Sequence, residues 1–350
     1  MIAAVFREAG VIAAEELPAP SAEATDVVVA VRACGICGSD MHAYEHGLYV
    51  QPGQVMGHEF AGDVVAVGDS VSDISVGDRV AVMPYAACGA CAACRAGRPH
   101  LCAAFMTASI AYGLPGAFAE LVRVPDARLG ANVHRLGDAT SYEAAALAEP
   151  LAVACHAVRL ADPKPDEHAM VVGQGPIGLL VVQALRAHGV GAVTAVDVSE
   201  HRLRTASRVG ATETVLAVGQ RLSDASGCDV DLVFECSGVP HLVDQALRAV
   251  SPGGRVVAVA VYGGRVEINP SLVVQRELRL QGSFAATGED FAFAVQLIEG
   301  GAILHRELIS HRFALADIDR AFEAQADRAH AVKVMVGDAC PDGNDEGQGR

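Results

Sequence analysis

The chain has 350 residues, 51% of them hydrophobic and 19% charged, and carries a formal net charge of −16. That balance excludes a disordered or fibrous chain, and the excess of acid argues against a nucleic-acid partner bound through a broad basic surface. The length suits about two domains, each with a core of its own.

The most apolar stretch, 169–185, is interrupted by Gly173, Gln174, Gly175, Pro176 and Gly178, whereas a membrane-spanning helix needs about 20 largely uninterrupted apolar residues. Residues 1–8 show no basic region leading into an apolar core and a cleavage site. A cytoplasmic protein with no membrane partner is therefore expected. Ten cysteines in a chain of this length, without an export signal, do not read as a disulfide framework.

Residues 1 to about 150 contain short β-type runs at 27–31, 62–67 and 78–83, separated by Val-Gly-Asp turns. This texture predicts a barrel-like β domain with few long helices. From about Pro163 it changes: strands are expected at 169–172, 193–197, 213–216, 230–235, 255–261 and 278–283, with helices at 177–187, 200–209 and 241–250 between them. Such alternation implies an α/β domain built on a doubly wound parallel sheet, over 151–285. A helix at 291–299 and mixed strands are expected to return to the first domain over 286–337. The polar, Gly- and Asp-rich residues 338–350 read as a disordered tail.

Cys88, Cys91, Cys94 and Cys102 are spaced C-x2-C-x2-C-x7-C, inside a lobe of about 86–103. Two-residue gaps let successive thiolates turn toward one centre, and four of them close a tetrahedral shell around Zn2+ at about 2.3 Å. A closed shell leaves no position for substrate, so this site is structural. Spacing alone does not select the metal, and an iron–sulfur cluster or four unligated thiols would share it.

Residues 173–178 read Gly173-Gln174-Gly175-Pro176-Ile177-Gly178, a G-x-G-x-x-G turn between an expected strand and an expected helix. Gly173 permits the tight turn, Gly175 a close approach of backbone to pyrophosphate, and Gly178 close helix–strand packing. Pro176 and Ile177 open the helix whose N-terminal amides face the phosphates. Asp197, nineteen residues after Gly178, ends the next strand. A carboxylate there accepts hydrogen bonds from ribose hydroxyls and repels a 2′-phosphate, which favours NAD over NADP. Arg202 is placed to stack on adenine or meet a 2′-phosphate.

A second constellation begins at Cys34-Gly35-Ile36-Cys37-Gly38-Ser39-Asp40-Met41-His42. It continues at Gly57-His58-Glu59 and again at Glu149-Pro150-Leu151. A thiolate, an imidazole and a carboxylate suit zinc and leave one position open.

These blocks, with Val-Gly-Asp-Arg-Val, the four-cysteine lobe and the glycine turn, stand in an order that resembles the zinc-dependent medium-chain dehydrogenases from Val27 to about Val336. The resemblance implies a GroES-like β catalytic domain and a Rossmann nucleotide-binding domain, with the active site in the cleft between them. It makes Cys37 and His58 ligands of a catalytic zinc. Glu59 or Glu149 completes the inner shell, and the choice stays open. Cys34 is a packed thiol. Glu149 stands where simple alcohol dehydrogenases place a second cysteine, which points to the sorbitol, butanediol and threonine dehydrogenase branch. Ser39 and His42 match the family's proton relay, and Val259, Ala260, Val261, Ser283 and Phe284 match positions lining the nicotinamide pocket.

The implied activity is reversible oxidation of a secondary alcohol, such as a polyol, vicinal diol, cyclitol or amino alcohol, to the ketone. Zinc acts as Lewis acid and a hydride passes to NAD. A simple alcohol dehydrogenase, an L-threonine 3-dehydrogenase and a non-enzymatic cofactor-binding protein are the alternatives. The partners expected are a small alcohol or ketone and a second copy of the chain, as homodimer or homotetramer. One departure bears on the branch: only twenty residues separate Cys37 from His58, fewer than in many polyol dehydrogenases.

Overall fold

The computed structural model describes residues 1–225 and 229–337; the expected tail, 338–350, lies outside them. The chain divides into two compact units. One comprises Met1–Glu149 and the segment from Ile309 onward, the other Pro150–Leu308.

The first unit is built on a seven-stranded sheet. Its order is Ile309–Phe313, Lys333–Val336, Val27–Gly35, Glu59–Val67, Arg79–Val82 and Val133–Arg135, with Leu121–Val124 also paired to Val27–Gly35. The Val-rich strand Val27–Gly35 is buried along nearly its whole length. Its antiparallel register sets Gly35 opposite Glu59 and Cys34 opposite Phe60. A separate hairpin, Ile2–Glu8 with Val11–Glu16, was not expected from the sequence. Neither was the helix Gly38–His46, whose start is fixed by Asp40. The Asp40 carboxylate accepts the Cys37 backbone N–H at 2.9 Å, one half of a capping box.

The second unit holds a six-stranded parallel sheet in the order Glu213–Leu216, Ala192–Asp197, His168–Val172, Val230–Glu235, Val250–Ala258 and Arg279–Gly282. The central strands consist mostly of buried Val, Ala, Met, Leu and Phe, as expected of a sheet covered on both faces. Numbered along the chain the order is 3-2-1-4-5-6, the doubly wound arrangement in which ligands settle outside the carboxyl ends of the strands.

Two expectations need correction. The fifth strand runs Val250–Ala258 rather than 255–261. Val250 pairs with Val230 and Arg255 with Leu232, so Pro252-Gly253-Gly254 bulge out of the pairing while the strand continues on both sides of them. Residues 286–308 do not return to the first unit. Helix Gly288–Glu299 is held in the second unit by Asp290, which bonds His156 at 2.7 Å and Arg159 at 2.7 and 2.9 Å. The Leu304 N–H donates to Gln183 at 2.7 Å. The return to the first sheet comes at Ile309.

Candidate functional site

The ligand atoms of Cys88, Cys91, Cys94 and Cys102 all lie within 4.8 Å of one another. The Cys91 sulfur stands 3.5 Å from that of Cys94 and 3.9 Å from that of Cys102. Tetrahedral zinc with Zn–S near 2.3 Å sets its sulfurs about 3.8 Å apart, so the spacing fits. Backbone N–H groups already point at the sulfurs: Cys88 donates to Cys102 at 3.2 Å, Cys91 to Cys88 at 3.4 Å and Ala104 to Cys102 at 3.3 Å. Backbone donors at Cys94 and Ala103 bring the Cys91 thiol down to about 6. Desolvation and the neighbouring thiols push Cys94 up to about 12. A divalent cation would stabilise all four as thiolates.

The second constellation assembles where three strands of the first sheet meet. The ligand atoms of Cys37, His58 and Glu59 lie within 4.8 Å of one another. His58 and Glu59 are buried, and His58 Nδ1 has no hydrogen-bond partner. Asp40 faces that nitrogen at 3.7 Å, from the helix it caps. A Cβ at Gly35 would collide with the Glu59 carboxylate, which fills the space that glycine leaves opposite it in the strand pairing. A soft thiol, an imidazole with an unused nitrogen and a carboxylate, drawn together out of water, fit a zinc ion.

Glu149 stands outside that mutual 4.8 Å set. It is nonetheless buried, within electrostatic reach of His58, Glu59 and Cys37, and burial pushes its carboxyl well above the usual range. The Tyr85 hydroxyl donates to it. Burial, with Glu59 adding to it, lifts the Cys37 thiol to about 12, a bias that a bound cation inverts. Cys34 is buried, its thiol directed to the Gly35 carbonyl at 3.8 Å.

Four participants escaped the sequence reading. Lys333 is the largest surprise: it is 1% exposed and donates to both Glu59 oxygens, at 2.8 and 2.6 Å, and to the Ile36 carbonyl at 2.9 Å. Burial opposes its charge, but Glu59, Cys37 and Glu149 outweigh that and hold its pKa above the ordinary value. The signal was a lone lysine in the apolar run Ala331-Val332-Lys333-Val334-Met335-Val336. Asp40 could have been found as an acid three residues into a helix that opens at Cys37. Tyr85 and Tyr112 carried no signal. Tyr112 lies 3.4 Å from the Ser39 hydroxyl, and its ring sits 5.4 Å from that of His58. His42, half-buried one turn along the same helix, has its ring 6.1 Å from that of His46.

In the second unit the glycine turn follows strand His168–Val172 and opens helix Pro176–Ala187, with Gly175 as N-cap and Ile177 and Gly178 in the first turn. Gly173 has φ +88°, a conformation costly for any side chain. The Asp197 carboxylate accepts the Gln174 N–H at 2.6 Å and the Ser199 N–H at 2.9 Å, so it fixes the turn at its own strand's end. Arg202 lies half-buried in the helix that follows. Val259, Ala260 and Val261 come directly after strand Val250–Ala258. Ser283 and Phe284 follow strand Arg279–Gly282; Ser283 is buried with its hydroxyl unpaired, while Phe284 and Val261 are exposed. All of these groups sit at the carboxyl edge of one sheet.

Two family models match the chain: the alcohol dehydrogenase GroES-like domain over residues 23–134 and the zinc-binding dehydrogenase domain over 176–300. Sorbitol dehydrogenase of Bacillus subtilis (strain 168) is 31% identical over 347 residues, covering 96% of this chain and 97% of that one. (R,R)-butanediol dehydrogenase of the same organism is 34% identical over 342 residues, covering 92% and 95%. The solved structure of a zinc-binding dehydrogenase from Sinorhizobium meliloti 1021 bound to NADP superposes with a TM-score of 0.90. It has 34% sequence identity, with 96% of this chain and 99% of that one covered. The order of strands, the two thiol-bearing clusters and these likenesses lead to one assignment: the chain belongs to the zinc-dependent medium-chain dehydrogenases, oxidoreductases with a GroES-like domain and a Rossmann domain.

Proposed function

We propose that this chain oxidises a secondary alcohol bearing a neighbouring hydroxyl or amino group to the ketone, reversibly, with NAD as hydride acceptor and two zinc ions per chain. The observation that carries the substrate class is Glu149. A buried carboxylate, bonded by Tyr85, stands beside the Cys37, His58 and Glu59 donors. Such a group accepts a hydrogen bond from a hydroxyl or water next to the reacting carbon, which a thiolate ligand would not. The names of the sorbitol and butanediol relatives support the same class.

Cys37, His58 and Glu59 would hold the catalytic zinc, and Cys88, Cys91, Cys94 and Cys102 the structural one. When bound, the catalytic ion supplies Lewis acidity toward the substrate oxygen. Ser39 takes the hydroxyl proton, and His42 passes it to solvent, since an imidazole has one nitrogen to accept a proton and another to donate one. Glu149 and Tyr85 orient the second hydroxyl. The glycine turn holds the pyrophosphate, Asp197 the adenosine ribose with Arg202 beside it, and Val259, Ala260, Val261, Ser283 and Phe284 the nicotinamide. We place the protein in the cytoplasm as a homodimer or homotetramer. The edge strand Arg279–Gly282, exposed at all four residues, supports self-association. Among the described residues no helix is long and apolar enough to cross a membrane.

The test is kcat/KM for ethanol, 2-butanol, 2,3-butanediol, sorbitol, an inositol and threonine, each with NAD and with NADP. A diol, polyol or amino alcohol with NAD should lead. The short segment between Cys37 and His58 favours a second reading, a simple alcohol dehydrogenase, and a clear preference for ethanol would establish that reading instead.

A further inference from the structure

Glu235 ends strand Val230–Glu235, next to the strand that leads into the glycine turn, and is completely buried. Burying a carboxylate is unfavourable unless donors surround it, and here they do. Oε1 accepts the Ser237 backbone N–H at 2.8 Å and the Ser237 hydroxyl. Oε2 accepts the Gly238 N–H at 3.4 Å and the Tyr262 hydroxyl. The main-chain carbonyl of the same residue accepts the N–H groups of Val259 at 2.9 Å and Ala260 at 3.2 Å.

One residue therefore ties together the loops that leave two adjacent strands at their carboxyl ends. These loops also touch the glycine turn and each other. A Cβ at Gly173 would fall 2.8 Å from the Ser237 nitrogen, and one at Gly238 would fall 3.0 Å from the Val261 carbonyl. Asp197 lies on the other side of strand His168–Val172. In a doubly wound sheet the two halves of a dinucleotide occupy the two sides of this reversal of strand order. If Asp197 holds the adenosine ribose, the loops gathered by Glu235 face the other half.

Resting on the NAD reading above, we infer that Glu235 is a positioning residue for the nicotinamide half of the cofactor. Its carboxylate holds the Ser237–Gly238 turn and the Val259–Tyr262 loop in the shape that receives the ring and its ribose. Tyr262 is the outer end of this clamp. A surface loop of glycine and small residues on either side would otherwise have to be ordered by the cofactor itself, and that ordering would weaken binding.

The experiment compares wild-type protein, Glu235→Gln and Tyr262→Phe, all full-length and zinc-loaded. NADH is titrated by its own fluorescence, since the chain contains no tryptophan, and AMP by calorimetry. Thermal unfolding is recorded for each variant. Glu235→Gln should bind NADH roughly tenfold more weakly, as loss of a hydrogen-bonded charge implies, with AMP affinity held within about twofold. Tyr262→Phe should weaken NADH in the same direction, again without AMP.

Unchanged NADH affinity in a folded Glu235→Gln would overturn the inference. So would equal losses for NADH and AMP, which mark a general loosening of the domain. If Glu235→Gln does not fold, Tyr262→Phe decides, and unaltered NADH binding there overturns it. A wild-type protein that binds neither NADH nor AMP would refute the dinucleotide reading itself, and this inference with it.

Discussion

Replacing Lys333 by methionine removes the buried cation that faces Glu59. With Nζ 2.6 and 2.8 Å from the two carboxylate oxygens, the Coulomb attraction is about 6 kcal/mol at an effective dielectric constant of about 20. The desolvation of both groups offsets much of it. Removing one partner still strands the other, and such losses run about 3–5 kcal/mol. A smaller contribution comes from the Ile36 carbonyl, which loses its donor. Zinc changes this balance, because an ion held by Glu59 meets the same carboxylate charge.

Lys333→Met should therefore destabilise the first unit by about 3–5 kcal/mol after the catalytic ion is removed by mild chelation, and by at least about 1 kcal/mol less when zinc is present. The assay is urea unfolding of wild type and variant under both conditions. It is followed by signals from the two units separately, since a chain of two units need not unfold in one step. Adding Glu59→Gln to Lys333→Met should recover part of the loss in chelated protein. A loss of the same size with and without zinc, or one below about 1 kcal/mol in chelated protein, would refute the reasoning.

Metal analysis should find two zinc ions per chain, falling to one in Cys94→Ser and, by loss of the other ion, to one in His58→Ala; two equivalents retained in both variants would refute the ligand sets. Asp197→Ser should shift cofactor preference toward NADP and also raise KM for NAD, because the Gln174 N–H loses its acceptor; a wild-type enzyme faster with NADP would contradict the first part. Burial opposes the charge of Asp290, but hydrogen bonds from His156, Arg159 and Thr287 outweigh it and hold its carboxyl far below the usual range. The stabilisation from this depressed pKa is in full effect above the unfolded value of about 3.9 and is lost as pH falls toward the folded one. Asp290→Asn should thus cost roughly 2 kcal/mol at neutral pH and flatten the decline in stability below about pH 5; an unchanged acid profile would count against it.

The central Rossmann strands were legible because buried parallel strands are rich in Val, Ala and Leu, and their ends fell within a few residues of the expected ones. The exception, Val250–Ala258, contains Pro-Gly-Gly, which reads as a turn unless the bulge in the pairing is known. Helix Gly38–His46 has almost no apolar stripe, so periodicity did not reveal it, although its capping acid was in plain view. The metal-ligand candidates could be named since their chemistry is local: thiols at short spacing, His beside Glu. Lys333 and Tyr85 act through partners far away in the chain, which only the fold brings together. The placement of 286–308 failed for the same reason, as the His156–Asp290 pair spans 134 residues.

The first sheet is completed by a strand from the far end of the chain, and this has a consequence for biosynthesis. All of the proposed ligands of both zinc ions leave the ribosome before Pro150, yet Lys333, which neutralises Glu59, is made 274 residues after it. The Rossmann unit is continuous in sequence and can fold in the interval, whereas the first unit waits with its central strand Val27–Gly35 still lacking a neighbour. A chain halted just before Lys333 would hold every proposed zinc ligand and the whole dinucleotide-binding unit, but with the Glu59 carboxylate unneutralised and one edge of its first sheet bare. Such a nascent chain is where capture by a chaperone, or an early zinc ion standing in for the missing lysine, would count most.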